Sequence, residues 1–161
     1  MTKTLMTLLL MVVAATADAD LISGKVVSVA DGDTITILDS LKKQHKIRLA
    51  GIDAPEKTQA FGNVSKRSLS ELVYGKQVDV EWSKRDRYGR TVGKVIIGTV
   101  DVNFEQIGRG MAWFYIKYQN ELKPQDRLDY AGAQDSAQQA GLGLWSDNNS
   151  IPPWDYRKQK Y

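Results

Sequence analysis

The feature that most limits what this chain can fold into is its order of elements: five short β-rich segments, broken once by a helical stretch and followed by helical ones. Val26, Val27 and Val29 lead into Asp31-Gly32-Asp33, and Thr34 to Leu38 leads out. Asp-Gly between two such runs predicts a hairpin. Lys46 to Ala50 reads as a third strand. Ser65 to Tyr74 reads as a helix, with Leu69, Leu72 and Val73 on one face and Gly75 just past the end. Gln77 to Trp82 alternates, placing Val78, Val80 and Trp82 together. Arg85 to Arg90 is a polar turn around Gly89, and Val92 to Val100 resumes β character. A second helix is expected over Asn103 to Ala112, capped by Asn103, with Phe104, Ile107 and Met111 inward. A third is expected over Asp126 to Ala140, with a stripe of Tyr130, Ala133, Ala137 and Ala140 and a stop at Gly141. The pattern predicts an α+β chain, mainly β, built on a small antiparallel barrel.

Composition narrows the chemistry. The 161 residues suit one domain. There are no cysteines, which excludes disulfides and thiolate zinc sites, and the single histidine, His45, argues against a His-rich zinc centre. His45 is expected on an exposed strand end without a role. Twenty-two Lys and Arg against nineteen Asp and Glu give a net charge of +3, which permits an anionic partner without demanding one. The N-terminus has the build of a secretory signal: Lys3, an apolar run from Leu5 to Ala15, then overlapping small-x-small sites at Ala15-Thr16-Ala17 and Ala17-Asp18-Ala19. The run is about half the roughly 20 residues a membrane span needs.

Three acidic clusters and two arginines carry the chemistry. They are Asp31-Gly32-Asp33-Thr34, then Arg48 to Glu56 with Asp53-Ala54-Pro55-Glu56 at its end, then Lys84 to Arg90. Taken singly, each is also an ordinary solvated turn. Taken together, Asp33 and Asp53 offer hard oxygens suited to Ca²⁺. Glu56 can hold or deprotonate a water. Arg48 and Arg90 can each grip a phosphate with a planar fork. Lys84, Arg85 and Arg87 can follow a nucleic-acid backbone. Trp82, Trp145 and Trp154 read as packing residues.

With those residues in place, the sequence resembles the staphylococcal nuclease family. The resemblance rests on D-G-D-T at 31–34, R-L-x-G-I-D-A-P-E at 48–56 and D-R-Y-G-R at 86–90, reinforced by G-R-G-M-A-W at 108–113 and A-G-L-G-L-W-S at 140–146. It implies a five-stranded OB-fold barrel with three α-helices, and Ca²⁺-dependent cleavage of DNA and RNA to 3′-phosphate products. It makes Asp33 and Asp53 the carboxylate ligands of the metal, with a backbone carbonyl from Ala54. It makes Arg48, Glu56 and Arg90 catalytic, and places Asp31 one layer behind the ligands. Tyr88 and Tyr118 fall near aromatics that contact the nucleotide, joined by Lys84 and Arg87 as expected substrate contacts. Ile116 departs from the family, standing where an aromatic is expected; Tyr115 or Trp113 can substitute. The rival reading, an inactive module of the same fold that only binds nucleic acid or protein, would have lost the acidic set that this chain retains.

The expected organisation is a signal peptide over 1–19, a nuclease domain over 20–147 and a loosely ordered tail over 148–161. The protein is expected to be exported, to the periplasm or the medium, as a monomer without a membrane anchor after cleavage. Mass spectrometry of protein recovered from its native envelope or medium is expected to find a chain lacking at least residues 1–17. A full-length chain held in the membrane would contradict this.

Overall fold

The structure, a computed structural model, describes residues 19–159; the expected signal peptide lies outside them, apart from its last residue. Five long strands form the body: β1 (Asp20–Val29), β2 (Thr34–Leu38), β3 (Gln44–Leu49), β4 (Gln77–Arg85) and β5 (Thr91–Ile97). The hydrogen-bonded order is β3-β2-β1-β4-β5, antiparallel throughout, and a parallel pairing of β3 with β5 closes the sheet. Ile47 faces Thr91, Arg48 faces Val92 and Leu49 faces Gly93 at the seam. The result is the expected α+β, OB-fold barrel. Closure leaves neither β3 nor β5 as an open edge, which removes the unpaired backbone groups that a flat sheet would present.

The period-two pattern does what alternation requires. Along β4, Val78 and Val80 are buried while Gln77 and Asp79 are exposed. Val26, Ile35, Ile37, Ile47, Leu49 and Val95 complete the interior. Each such side chain contributes about 1.5–3 kcal/mol by leaving water. Helix α1 (Gly62–Val73) adds Leu69 and Val73 to the same core. Helices α2 (Val102–Gly108) and α3 (Pro124–Gln139) pack on each other, and Tyr130 is fully buried there with its hydroxyl donating to the Asp101 carboxylate at 2.8 Å. No helix of the described residues is long and apolar enough to cross a membrane.

Several local expectations are corrected. The cap of α2 is Asp101, whose carboxylate accepts from the Phe104 N–H at 3.0 Å, and the helix ends at Gly108. Asn103 is the second residue of the helix, fully buried, and joins the chain just after β3 to β5. It accepts from Val95 N–H at 3.1 Å and donates to the carbonyls of Ala50 at 3.0 Å and Gly93 at 3.3 Å. Ile107 faces the core as expected, but Phe104 is exposed and Met111 only half-buried. Ala140 is exposed rather than part of the α3 stripe, because it lies beyond the last helical turn. His45 is half-buried and its Nε2 meets Asp39 Oδ2 at 2.8 Å. The tail is not loose within the described residues: Pro153–Gln159 forms a short helix, α4, in addition to the three expected. Its Trp154 stacks on Tyr115 at 4.8 Å and 7° and meets the edge of Trp113 at 5.7 Å.

Asn103 is the polar pin of this fold. Asn103→Ala takes a partner from the Val95 N–H and the Ala50 carbonyl, while the Gly93 carbonyl keeps the Ala50 N–H at 2.8 Å; a buried backbone group left unpaired costs about 1–3 kcal/mol where water cannot reach. Urea unfolding is expected to show a loss of about 2–4 kcal/mol. The exposed Asn149→Ala, by contrast, is expected to change stability by less than about 0.5 kcal/mol.

Candidate active site

The site is built at one end of the barrel, where the β1–β2 turn, the end of β3 and the chain after it converge. Asp31, Gly32 and Asp33 make a tight turn closed by Ala30 N–H to Thr34 O, with Asp31 Oδ1 accepting the Asp33 N–H at 3.1 Å. Gly32 is required by close approach: a Cβ there would stand 1.8 Å from Ser65 Oγ of α1. Gln106 of α2 donates to the Gly32 carbonyl at 2.9 Å, so the turn rests on two helices. The glycine that marks a hairpin in sequence is thus kept for packing, and its φ is not positive.

Asp33 is buried and its carboxylate is fully engaged. It accepts from the Ala54 N–H at 2.7 Å and the Thr34 hydroxyl at 3.0 Å, and pairs with Arg48 Nη1 at 3.0 Å. Asp53 sits on the two-residue strand Ile52–Asp53, which pairs with Trp113–Phe114. It is 1% exposed, and Arg48 Nη2 reaches its Oδ1 at 3.1 Å. Arg48 therefore bridges the two carboxylates. Burial pulls its guanidinium down, but Asp33, Asp53 and Asp31 outweigh that and hold it above the ordinary arginine value. Desolvation, reinforced by Asp33, pushes Asp53 up despite its arginine partners. The same two causes push Asp31 up to about 6.

Glu56 follows Pro55 on the loop into α1. That loop is fixed by Gln59 N–H to Glu56 O at 2.8 Å and by Gly62, where a Cβ would stand 2.0 Å from the Glu56 carbonyl oxygen. The Glu56 carboxylate reaches into the cleft. Opposite lies the polar turn after β4. Asp86 accepts from Tyr88 N–H and Arg90 N–H, both at 2.9 Å, and from Arg90 Nε at 2.6 Å. Desolvation opposes ionisation of Asp86, yet the bonds from Arg90 and Tyr88 hold its carboxyl below the usual range. Arg87 and Arg90 lie 4.8 and 5.4 Å from the Tyr88 ring, which is 67% exposed. Lys84 pairs with Glu121 and stands 5.8 Å over Tyr118, which meets Tyr115 edge-on at 4.7 Å.

Every residue singled out in the sequence lines this one cleft of about 820 Å³: Asp31, Asp33, Arg48, Asp53, Ala54, Glu56, Lys84, Arg87, Tyr88, Arg90 and Tyr118. Arg90 is not drawn to the acidic cluster; its guanidinium is turned to Asp86 and Tyr88. The exposed Ile116 is not among the lining residues, whereas Tyr115 is. The sequence reading missed Arg157. Its Nη2 meets Asp53 Oδ2 at 2.7 Å and its Nη1 meets Glu56 Oε1 at 2.8 Å. No spacing in the charged tail marked it, because only the docking of α4 brings it here.

Among the described residues, no group of three or more histidine, cysteine or acidic side chains is arranged ready to hold a metal. The donor set nevertheless fits a hard divalent cation in kind. Asp33 and Asp53 offer carboxylate oxygens beside the Ala54 backbone, and Asp31 adds a third acidic group to the same end of the cleft. Arg48 and Arg157 now take up oxygens that such an ion would need.

Comparison with known proteins gives a consistent picture. Residues 46–147 match the family described as "Staphylococcal nuclease homologue". A Haemophilus influenzae protein named "Uncharacterized endonuclease" is 46% identical over 136 residues, spanning 84% of this chain and 73% of its own. An Escherichia coli protein of the same name is 43% identical over 141 residues, spanning 86% and 87%. A "Micrococcal nuclease" of Shigella flexneri is 38% identical over 157 residues, spanning 92% and 87%.

The raised Asp31 carboxyl has a consequence for stability. A folded-state value near 6 against about 3.9 unfolded means the folded protein holds the proton more tightly. The contribution is present below pH 4 and lost as pH rises through 6. In chelator at pH 7, Asp31→Asn, which keeps the acceptor for Asp33 N–H, is expected to stabilise the protein by about 1–3 kcal/mol. The gain should vanish at pH 4 in urea unfolding of the same pair.

Proposed function

The chain belongs to the staphylococcal nuclease family, and from that premise we propose that it is an exported, calcium-dependent nuclease that hydrolyses phosphodiester bonds in DNA and RNA to 3′-phosphate products. The observation that carries this reading is the convergence of three aspartates, Glu56, Arg48 and Arg90 in one cleft with a basic, aromatic rim. The names of the relatives, endonuclease and micrococcal nuclease, support the reaction class. Export rests on the sequence of residues 1–19 and monomeric action on the self-contained barrel.

Asp33, Asp53 and the Ala54 carbonyl would hold the calcium ion. When bound, the ion supplies a Lewis acid for the phosphoryl oxygen. The chain's own residues do the rest. Arg48, kept charged and rigid by Asp33 and Asp53, presents fixed positive charge beside the ligands. Arg90 approaches from the opposite wall, where Asp86 sets its direction. Both meet negative charge that grows on the phosphoryl oxygens, where preorganised donors are worth most. Glu56 takes or holds the proton of the attacking water at its carboxylate oxygen. Tyr88 and Tyr118 offer ring faces to bases, and Lys84 and Arg87 offer charge to the flanking phosphates.

Purified mature protein is expected to cut plasmid DNA in calcium and to stop in chelator. Arg48→Lys, Arg90→Lys and Glu56→Gln are each expected to lower turnover on the order of 100- to 1000-fold at saturating DNA and calcium. Asp33→Asn is expected to lower calcium affinity and turnover together. The asparagine is the informative change because Asp33 also anchors Ala54 N–H, Thr34 and Arg48, so an alanine would disturb the fold as well. Folded variants with near-normal turnover would remove these residues from the mechanism. A wild type that binds DNA without cutting it would favour the inactive binding module.

A further inference from the structure

The last described helix does more than cover the barrel. Helix α4 is fixed by packing: Pro153 is buried, Trp154 stacks on Tyr115, and the Tyr156 hydroxyl donates to the Thr58 carbonyl at 2.9 Å. From this platform the Arg157 side chain, about two-fifths exposed, turns back into the cleft. Its Nη1 and Nη2 lie 3.3 and 2.7 Å from the two oxygens of Asp53, and Nη1 lies 2.8 Å from Glu56. A surface ion pair of this kind is ordinarily worth little. Here one partner is a carboxylate that is 1% exposed, and its other neighbour is already Arg48.

We propose that Arg157 is a built-in counterion of the acidic cluster, which must release Asp53 and Glu56 before a divalent cation can bind, so that the C-terminal helix sets the metal affinity of the site. The inference rests on the calcium reading of Asp33 and Asp53 given above. The argument is one of shared oxygens. With Arg48 on Oδ1 and Arg157 across both oxygens, each oxygen of Asp53 already accepts from a guanidinium, and a cation at Oδ2 would stand beside the positive charge of Arg157. Leaving the cluster without either ion would set Arg48 alone against the clustered carboxylates of Asp31, Asp33 and Asp53, which is costly in a buried site. The arginine therefore satisfies the metal-free state. It also holds Glu56, the group assigned to the attacking water, so release frees both functions in one movement. Only the side chain has to swing, because Trp154, Pro153 and Tyr156 anchor the helix independently.

If the docked arginine holds the site about nine-tenths of the time, the apparent calcium affinity falls about tenfold. Isothermal titration with calcium should therefore find Arg157→Gln binding about tenfold more tightly than wild type. Arg157→Lys, which keeps the charge but not the fork, should fall between. In the wild type, modification by a guanidinium-selective dicarbonyl, mapped by mass spectrometry, should increase at Arg157 when calcium is added. Equal calcium affinity in wild type and Arg157→Gln, with unchanged Arg157 labelling, would overturn the inference and leave the calcium reading standing. Weaker binding by Arg157→Gln would overturn it too, by making Arg157 an organiser of the site. Absence of calcium binding in wild type and both variants would overturn the calcium reading and this inference together.

Discussion

The parallel seam between β3 and β5 is the contact on which the site depends. The other strand pairings are antiparallel, whereas this parallel one joins two strands separated in sequence by α1 and β4 and closes the barrel. Placing Arg48 opposite Val92 sets the end of β3 beside the start of β5, and so brings Arg90 to the wall facing the acidic turn. Asn103 reinforces the same place, since its amide bridges Ala50, just after β3, to Gly93 and Val95 of β5. A loosened seam would leave every strand locally sound while separating the two halves of the cleft.

Within that frame the chemistry is a problem of charge. Asp33 and Asp53 are buried, and Arg48, which bridges them, neutralises part of what they carry. Asp31, raised first by its own burial and then by Asp33, holds its proton more tightly. Such an arrangement costs stability and is typical of places where a function requires the strain. The two helices under the Asp31–Asp33 turn, through Ser65 and Gln106, resist the repulsion mechanically. Arg157 resists it electrostatically from the outer side, and its own guanidinium is held above the ordinary value by Asp53 and Glu56 against the pull of burial.

The aromatic groups divide along a similar line. Trp113, Trp145 and Trp154 pack around the strand that carries Asp53 and act as structure. Tyr88 and Tyr118 stand exposed at the cleft mouth next to lysine and arginine. Tyr115 belongs to both groups, stacked beneath Trp154 and edge-on to Tyr118. It links α4 to the aromatic rim.

The sequence by itself determined the strands, because alternation along β4 and the apolar runs around the Asp-Gly turn follow from local burial with period two. It also determined which residues meet in the cleft, because D-G-D-T, the segment from Arg48 to Glu56 and D-R-Y-G-R keep the family's order. Three things only the tertiary structure decided. Asn103 reads as a helix cap, and becomes a buried pin because Asp101 reaches the free N–H first. Arg90 reads as a partner of Arg48, and instead rests on Asp86 within its own turn. Arg157 reads as one charge among several in a tail after two prolines, and ends against Asp53. Local pattern records which face of an element seeks the core. It does not record which of several equivalent charges an ion pair will select, since that depends on distances fixed only when remote segments dock.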